Sequence, residues 1–177
     1  MPKPARVYWD ACTWIAYINS EKVVPLRSGG TENRFSMCSS VFELAKKSKI
    51  EIVTSAFTLA EVCKSADILS SPLDNLASFF ERSYILLIPV DLQIGRLAQN
   101  YQTSGLGGLK PPDAVHLASA RRASVQEFHT FDDKILSLDG KINGLNEQPI
   151  KICRPTMGSS LGPLFGPNKD VFPDPQF

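Results

Sequence analysis

Four acidic residues occupy comparable places along the chain. Asp10 ends the apolar run Val7-Tyr8-Trp9, and Glu61 lies in the first turn after a second strand-like run. Asp113 follows Pro111-Pro112 at the head of a segment of helical period, and Asp132 follows Phe128 to Phe131. In an open α/β sheet, sites form outside the carboxyl ends of the strands, so the four can converge on one crevice. Carboxylates crowded together raise one another's pKa unless a cation compensates. Hard oxygen donors in such a cluster suit Mg²⁺ or Mn²⁺, not Zn²⁺. Each acid also has a plain structural explanation. Asp10 and Asp132 can be helix N-caps, Asp113 can complement a helix dipole, and Thr58-Leu-Ala-Glu61 has the capping-box pattern. Taken singly, each acid is read as a structural residue; taken together, the four point to a cation site.

Positioning these residues requires short β-rich runs alternating with helical segments, a pattern that gives a mostly parallel central sheet with helices on both faces. The first strand is Val7 to Trp9, followed by a short helix through Trp14, Ile15 and Ile18. Ser20 to Arg34, with Gly29-Gly30 inside it, reads as a loop. Met37, Val41, Leu44 and Ala45 recur at helical spacing, and Ile50 to Thr54 is a second strand. A helix runs from about Thr58 towards Leu69 and another passes through Leu73, Leu76, Phe79 and Phe80. The nearly all-apolar run Tyr84 to Val90 is expected to lie centrally or nearly so. Ile94, Leu97, Ala98 and Tyr101 mark a helix, and the next carries Ala114, Leu117 and Ala118 inward. Phe128 to Phe131 is a further strand, and Ile150 to Cys153 a last, edge strand.

Composition narrows the class. The chain has 177 residues, 43% hydrophobic and 21% charged, which is enough apolar material for one core and places residues 1–153 in a single domain. Residues 154–177, where Pro and Gly interleave, read as a tail. A net charge of +1 does not announce a nucleic-acid partner through bulk charge, so any such partner must be argued from a local site. The four cysteines form no C-x-x-C pair and have no His at zinc-finger spacing. No apolar run reaches the roughly 18 residues that span a bilayer. The expectation is a soluble protein with no membrane partner, in a reducing cytoplasm.

Val7-Tyr-Trp-Asp10-Ala-Cys-Thr-Trp-Ile, then Thr58-Leu-Ala-Glu61-Val, then Pro112-Asp113-Ala-Val-His-Leu-Ala-Ser-Ala120, and last Thr130-Phe-Asp132 resemble the ordered acidic motifs of PIN-domain nucleases, particularly the VapC-type toxins. The resemblance covers about residues 5 to 153, and the Asp113 motif is its most specific part. It implies a small PIN-like α/β domain whose acidic pocket binds Mg²⁺ or Mn²⁺ to hydrolyse RNA, restrained by an antitoxin protein and commonly a homodimer. Carried over by position, Asp10, Glu61, Asp113 and Asp132 match the family's acids, and Thr130 matches a hydroxyl that supports the pocket. On this reading Asp10 and Asp113 hold the principal ion, and Glu61 and Asp132 complete the shell.

A phosphodiester is itself an anion, so flanking phosphates need cations. Lys110, Arg121, Arg122 and Lys134 are the candidates. Arg121 and Arg122 are equally readable as solvated residues of an amphipathic helix. His116 and His129 are read as packing residues, Cys12 and Cys63 as buried thiols, and Trp9 and Trp14 as core. Cys12 stands where many relatives carry Ser, Thr or Asn, which is expected to remove a good hydrogen-bonding group from the pocket edge. Two other readings remain. One is a catalytically inactive PIN-like scaffold that binds RNA or protein. The other is an aspartate phosphotransferase of the haloacid-dehalogenase kind, which would need a second Asp where Cys12 stands.

Overall fold

The computed structural model describes residues 4–63, 78–104, 106 and 108–156. In chain order they form β1 (Ala5–Trp9), α1 (Ala11–Ile18), β2 (Val24–Pro25), β3 (Thr31–Glu32), α2 (Arg34–Lys46), β4 (Ile50–Ser55) and α3 (Phe57–Val62). There follow β5 (Ile85–Ile88), α4 (Leu92–Thr103), α5 (Pro111–Arg122), β6 (Glu127–His129), α6 (Asp133–Leu136) and β7 (Lys151–Cys153). The expected helical residues between 64 and 77, and the tail from 157 onward, lie outside the described residues.

Five strands form one sheet in the order β5-β4-β1-β6-β7, every neighbouring pair parallel. The central strand shows why a parallel sheet reads as continuous apolar sequence: Val7, Tyr8 and Trp9 are all fully buried. Because side chains alternate across a strand, Val7 and Trp9 join a core with Trp14, Val41, Phe42 and Ala45 of α1 and α2. Tyr8 points the other way, to Ile94, Leu117 and Ala118 of α4 and α5. Helices therefore cover both faces. Trp9 and Trp14 are core as expected, meeting edge to face at 4.7 Å, while Tyr8 stacks on Phe128 at 5.0 Å. Burying a large apolar side chain contributes about 1.5–3 kcal/mol.

One placement differs from the sequence expectation. β5 is an edge strand, not a central one. Leu86 and Ile88 pack on the α4–α5 core and Tyr84 and Leu87 on the opposite one, so the apolar run reflects cover on both faces and says nothing of position within the sheet. The expected loop between α1 and α2 also contains structure. β2 and β3 pair antiparallel through Val24↔Glu32 and Pro25↔Thr31. The chain reverses through Gly29 and Gly30, both at positive φ (91° and 83°), which glycine adopts without strain.

Candidate active site

Strand connections leave β1 towards β4 and β5 on one side, while β6 and β7 lie on the other. The order therefore reverses between β1 and β6, where an open α/β sheet forms its crevice. Trp9 pairs with His129, so Asp10 and Thr130 are the first residues beyond the ends of these two strands. Asp10, 3% exposed, caps α1: its Oδ1 accepts from the Thr13 amide at 2.9 Å. Asp132 caps α6, its Oδ1 accepting from the amides of Lys134 (2.7 Å) and Ile135 (3.3 Å), and its own amide donates to Thr130 Oγ1 at 3.0 Å. The capping role read for these two acids is thus real. It occupies one oxygen of each, and among the described residues Asp132 Oδ2 has no backbone donor.

Asp113 sits in the first turn of α5, where Pro111 and Pro112 occupy positions whose N–H groups would have no helical acceptor. Burial, reinforced by the charge of Asp132, pushes its carboxyl above the ordinary value. Glu61 is brought in differently. The capping-box reading of Thr58 fails, because α3 begins at Phe57 without a side-chain cap and Thr58 Oγ1 bonds to Thr54 at 2.8 Å. Glu61 Oε2 instead lies 2.6 Å from His116 Nε2, and His116 Nδ1 lies 2.8 Å from Tyr8 Oη. A carboxylate only accepts, so the proton belongs on Nε2, and Nδ1 then accepts from the Tyr8 hydroxyl. His116 packs, as read from sequence, and also holds Glu61.

Cys12 overturns its expectation. Its thiol donates towards Asp10 Oδ1 (3.0 Å) and Oδ2 (3.2 Å), accepts from the Phe131 amide at 3.3 Å, and lies 3.5 Å from Thr130 Oγ1. The hydrogen-bonding position is kept, with sulfur in place of oxygen. A chain of contacts consequently runs from Asp10 through Cys12 and Thr130 to Asp132.

A cleft of about 400 Å³ opens over this edge, lined by Asp113, Asp132 and Asp133 and by Arg27, Arg34, Lys110, Lys134 and Arg154, with Pro25, Leu26 and Phe131. Of the basic candidates read from the sequence, Lys110 and Lys134 line this cleft. Arg121 and Arg122 are in the last turn of α5, eight residues or roughly 12 Å along the helix from Asp113, and do not line the cleft. Arg27, Arg34 and Arg154 do, and sequence reasoning missed them. Asp10 and Glu61 are not among the residues that line it.

The donor set suits a hard divalent cation, and the mutual effect of Asp132 on Asp113 is what such a cation relieves. Among the described residues, the only trio of His, Cys, Asp or Glu with donor atoms all within 4.8 Å of one another is Glu127, His129 and Cys153. That trio does not line the cleft. Its imidazole is already engaged, taking the Trp9 Nε1–H at 3.2 Å on Nδ1 and donating from Nε2 to Glu127 Oε2 at 2.9 Å.

A parallel sheet with an acidic crevice at its order reversal defines a class of open α/β proteins whose site is built from strand ends. The family model for the PIN domain matches residues 37–141, more than half of the chain, and the chain belongs to the PIN-domain family. No curated protein matches it. Among solved structures, it is similar to VapC20 of Mycobacterium tuberculosis, a sarcin–ricin-loop-cleaving toxin, with 15% identity, 72% of this chain and 90% of that one covered, and a TM-score of 0.54. FitAcB from Neisseria gonorrhoeae (16%, 71% and 87%, TM-score 0.44) and FitAB bound to an IR36 DNA fragment (16%, 71% and 85%, TM-score 0.45) are also similar. Among the described residues, no helix is long and apolar enough to cross a membrane.

Proposed function

We propose that this chain is a metal-dependent endoribonuclease and the toxin of a toxin–antitoxin pair, acting in the cytoplasm. The observation that carries the reading is that Asp113 and Asp132 line one cleft together with five basic side chains. An acidic pair alone repels a phosphodiester, and a basic cleft alone binds it without cutting. The two together suit a phosphate seated over a cation. Asp113 and Asp132 would hold Mg²⁺ or Mn²⁺, with Asp10 and Glu61 in supporting positions. A bound ion of this kind offsets phosphate charge and lowers the pKa of a water. Lys110 and Lys134 hold flanking phosphate oxygens, and Thr130 and Cys12 fix the loop that carries Asp132.

The PIN-domain family match and the fold shared with a sarcin–ricin-loop-cleaving toxin support phosphodiester hydrolysis. An antitoxin protein and a second copy of the chain are the partners this reading implies. A second reading, a non-cutting RNA- or protein-binding scaffold, draws on one observation: no three of the four acids bring their oxygens within 4.8 Å of one another.

The test incubates the purified chain, freed of copurifying partner, with single-stranded and structured RNA in Mn²⁺, Mg²⁺ or EDTA, beside Asp113→Asn and Asp132→Asn. Asn is the right replacement at Asp132 because it caps a helix as well as Asp does. Cleavage that needs metal and disappears in both variants supports the nuclease. RNA binding without cleavage under every metal supports the scaffold.

A further inference from the structure

Arg34 and Arg154 are separated by most of the sequence, yet one carboxylate holds both. Glu32 Oε2 accepts from Arg34 Nε at 3.0 Å, and Glu32 Oε1 lies 2.8 Å from Arg154 Nε. Glu32 itself is nearly buried, with 9% of its side chain exposed, and β3 fixes its backbone. Each guanidinium has a second restraint. Arg34 Nη1 lies 3.4 Å from Glu21 and its Cζ 4.7 Å above the Phe131 ring, while Arg154 Nη2 lies 3.5 Å from Asp133. Both side chains line the cleft. Arginine carries five N–H donors in a rigid fork, so two or three contacts to protein leave others for a ligand. The third arginine, Arg27, stands on the β2–β3 hairpin, lines the same cleft, is exposed, and has no ion-pair partner among the described residues. The hairpin tip has room around its glycines, since a Cβ added at Gly29 or Gly30 would meet nothing within 4 Å.

We infer that Arg27, Arg34 and Arg154 form a phosphate-binding subsite on the hairpin wall of the cleft, which takes the backbone of a single-stranded RNA beside the acidic pair. The chemistry is that of guanidinium forks meeting phosphate oxygens, with two of the three forks already oriented by Glu32 and so losing little freedom on binding. Five basic side chains share this cleft with three acids, in a chain whose net charge is only +1, so the attraction for a polyanion is local. Confinement to a concave cleft suits one strand better than a duplex. The inference rests on the nuclease reading only for what occupies the space over Asp113 and Asp132.

The experiment measures fluorescence anisotropy of a 5′-labelled single-stranded RNA in the uncut Asp113→Asn background, across a NaCl series. Arg27→Ala is expected to weaken binding several-fold and to lower the slope of log K against log salt by about 0.7, as loss of one phosphate contact does for a single strand. Arg34→Ala with Arg154→Ala should lower it by about 1.4. Lys49→Ala, exposed just before β4 at the opposite end of the sheet, should change neither. Thermal melts accompany each variant. Arg27→Ala removes a side chain with no described partner, so its result stands even where the double variant unfolds. Unchanged affinity and slope in Arg27→Ala and in a folded double variant would overturn the subsite, and so would equal or tighter binding of a phosphopeptide of matched charge. Metal-dependent cleavage by the wild type with KM unmoved by Arg27→Ala sinks the subsite and leaves the nuclease. RNA binding lost in the arginine variants, with no cleavage by the wild type, keeps the subsite and sinks the nuclease.

Discussion

His116 Nε2 lies 2.6 Å from Glu61 Oε2, which fastens α5 to α3 one turn beyond Asp113. Tyr8, whose hydroxyl burial and the charge of Asp10 push up and so keep protonated, completes the line from the central strand through the imidazole to the carboxylate. His116 is therefore a positioning residue. His116→Leu is expected to lower turnover by about 10–100-fold, the range typical of partners that orient metal-site ligands. It should also raise the Mn²⁺ concentration at half-maximal rate, and Tyr8→Phe should do the same more weakly. Loss of activity with an unchanged Mn²⁺ requirement would mean that the histidine is structural only.

Asp113 lowers the stability of the fold it serves. Its unfolded carboxyl titrates near the ordinary 3.8 and the folded one higher, because burial first and Asp132 second disfavour the charge. Stability is therefore present while the group is protonated and is lost as pH rises through that window. Asp113→Asn should melt at a higher temperature than the wild type near neutral pH without divalent ions, with the gain vanishing below pH 3.8. Adding Mn²⁺ should raise the wild-type melting temperature and leave the variant's unchanged. A wild type indifferent to Mn²⁺ would count against a cation at Asp113.

Three of the thiols are held protonated by burial. Burial, and next the negative charge of Asp10, push Cys12 and Cys38 well up, and burial with Glu127 pushes Cys153 up to about 11. The thiolate is the reactive form, so these three should resist iodoacetamide at pH 8 in the folded protein and react in urea. Mass spectrometry of the two samples checks this. Cys12→Ser should retain activity, since a hydroxyl keeps the bond to Asp10.

The engaged imidazole of His129, the last residue of β6, gives a stability test away from the cleft. Glu127 and His129 are both fully buried, with Lys151 3.8 Å from the other Glu127 oxygen. His129→Leu leaves the carboxylate without its main donor and should destabilise by about 3–5 kcal/mol. Glu127→Gln keeps an acceptor for Nε2–H and should cost about 1 kcal/mol. Urea midpoints decide between these and an inert pair, in which both changes are small.

Legibility in the sequence follows the range of the interaction. Asp10 after Trp9 and Asp113 after Pro111-Pro112 could be placed because capping chemistry and helical period are local. β5 was misplaced because an apolar run records cover on its faces and carries no record of its neighbours. The hairpin was invisible because its two-residue strands are shorter than any period. The Glu61–His116 and Glu32–Arg154 contacts join residues 55 and 122 positions apart, and no spacing rule reaches that far. Asp10, Asp132 and Asp113 were thus readable individually as strand-end and helix-start acids. The arginines opposite them were readable only once the chain had closed.

That closure has a consequence for synthesis. β1 meets β4 through partners such as Val7↔Ile52, but it meets β6 only through Val7↔Glu127 and its neighbours. At roughly 5–20 residues per second, the ribosome needs about 6–24 s to travel between those two partners. During that interval the half-sheet can assemble, while the crevice has one wall and Asp132 is not yet made. A nascent chain therefore lacks the second wall of this crevice until the β6 segment and Asp132 have been made.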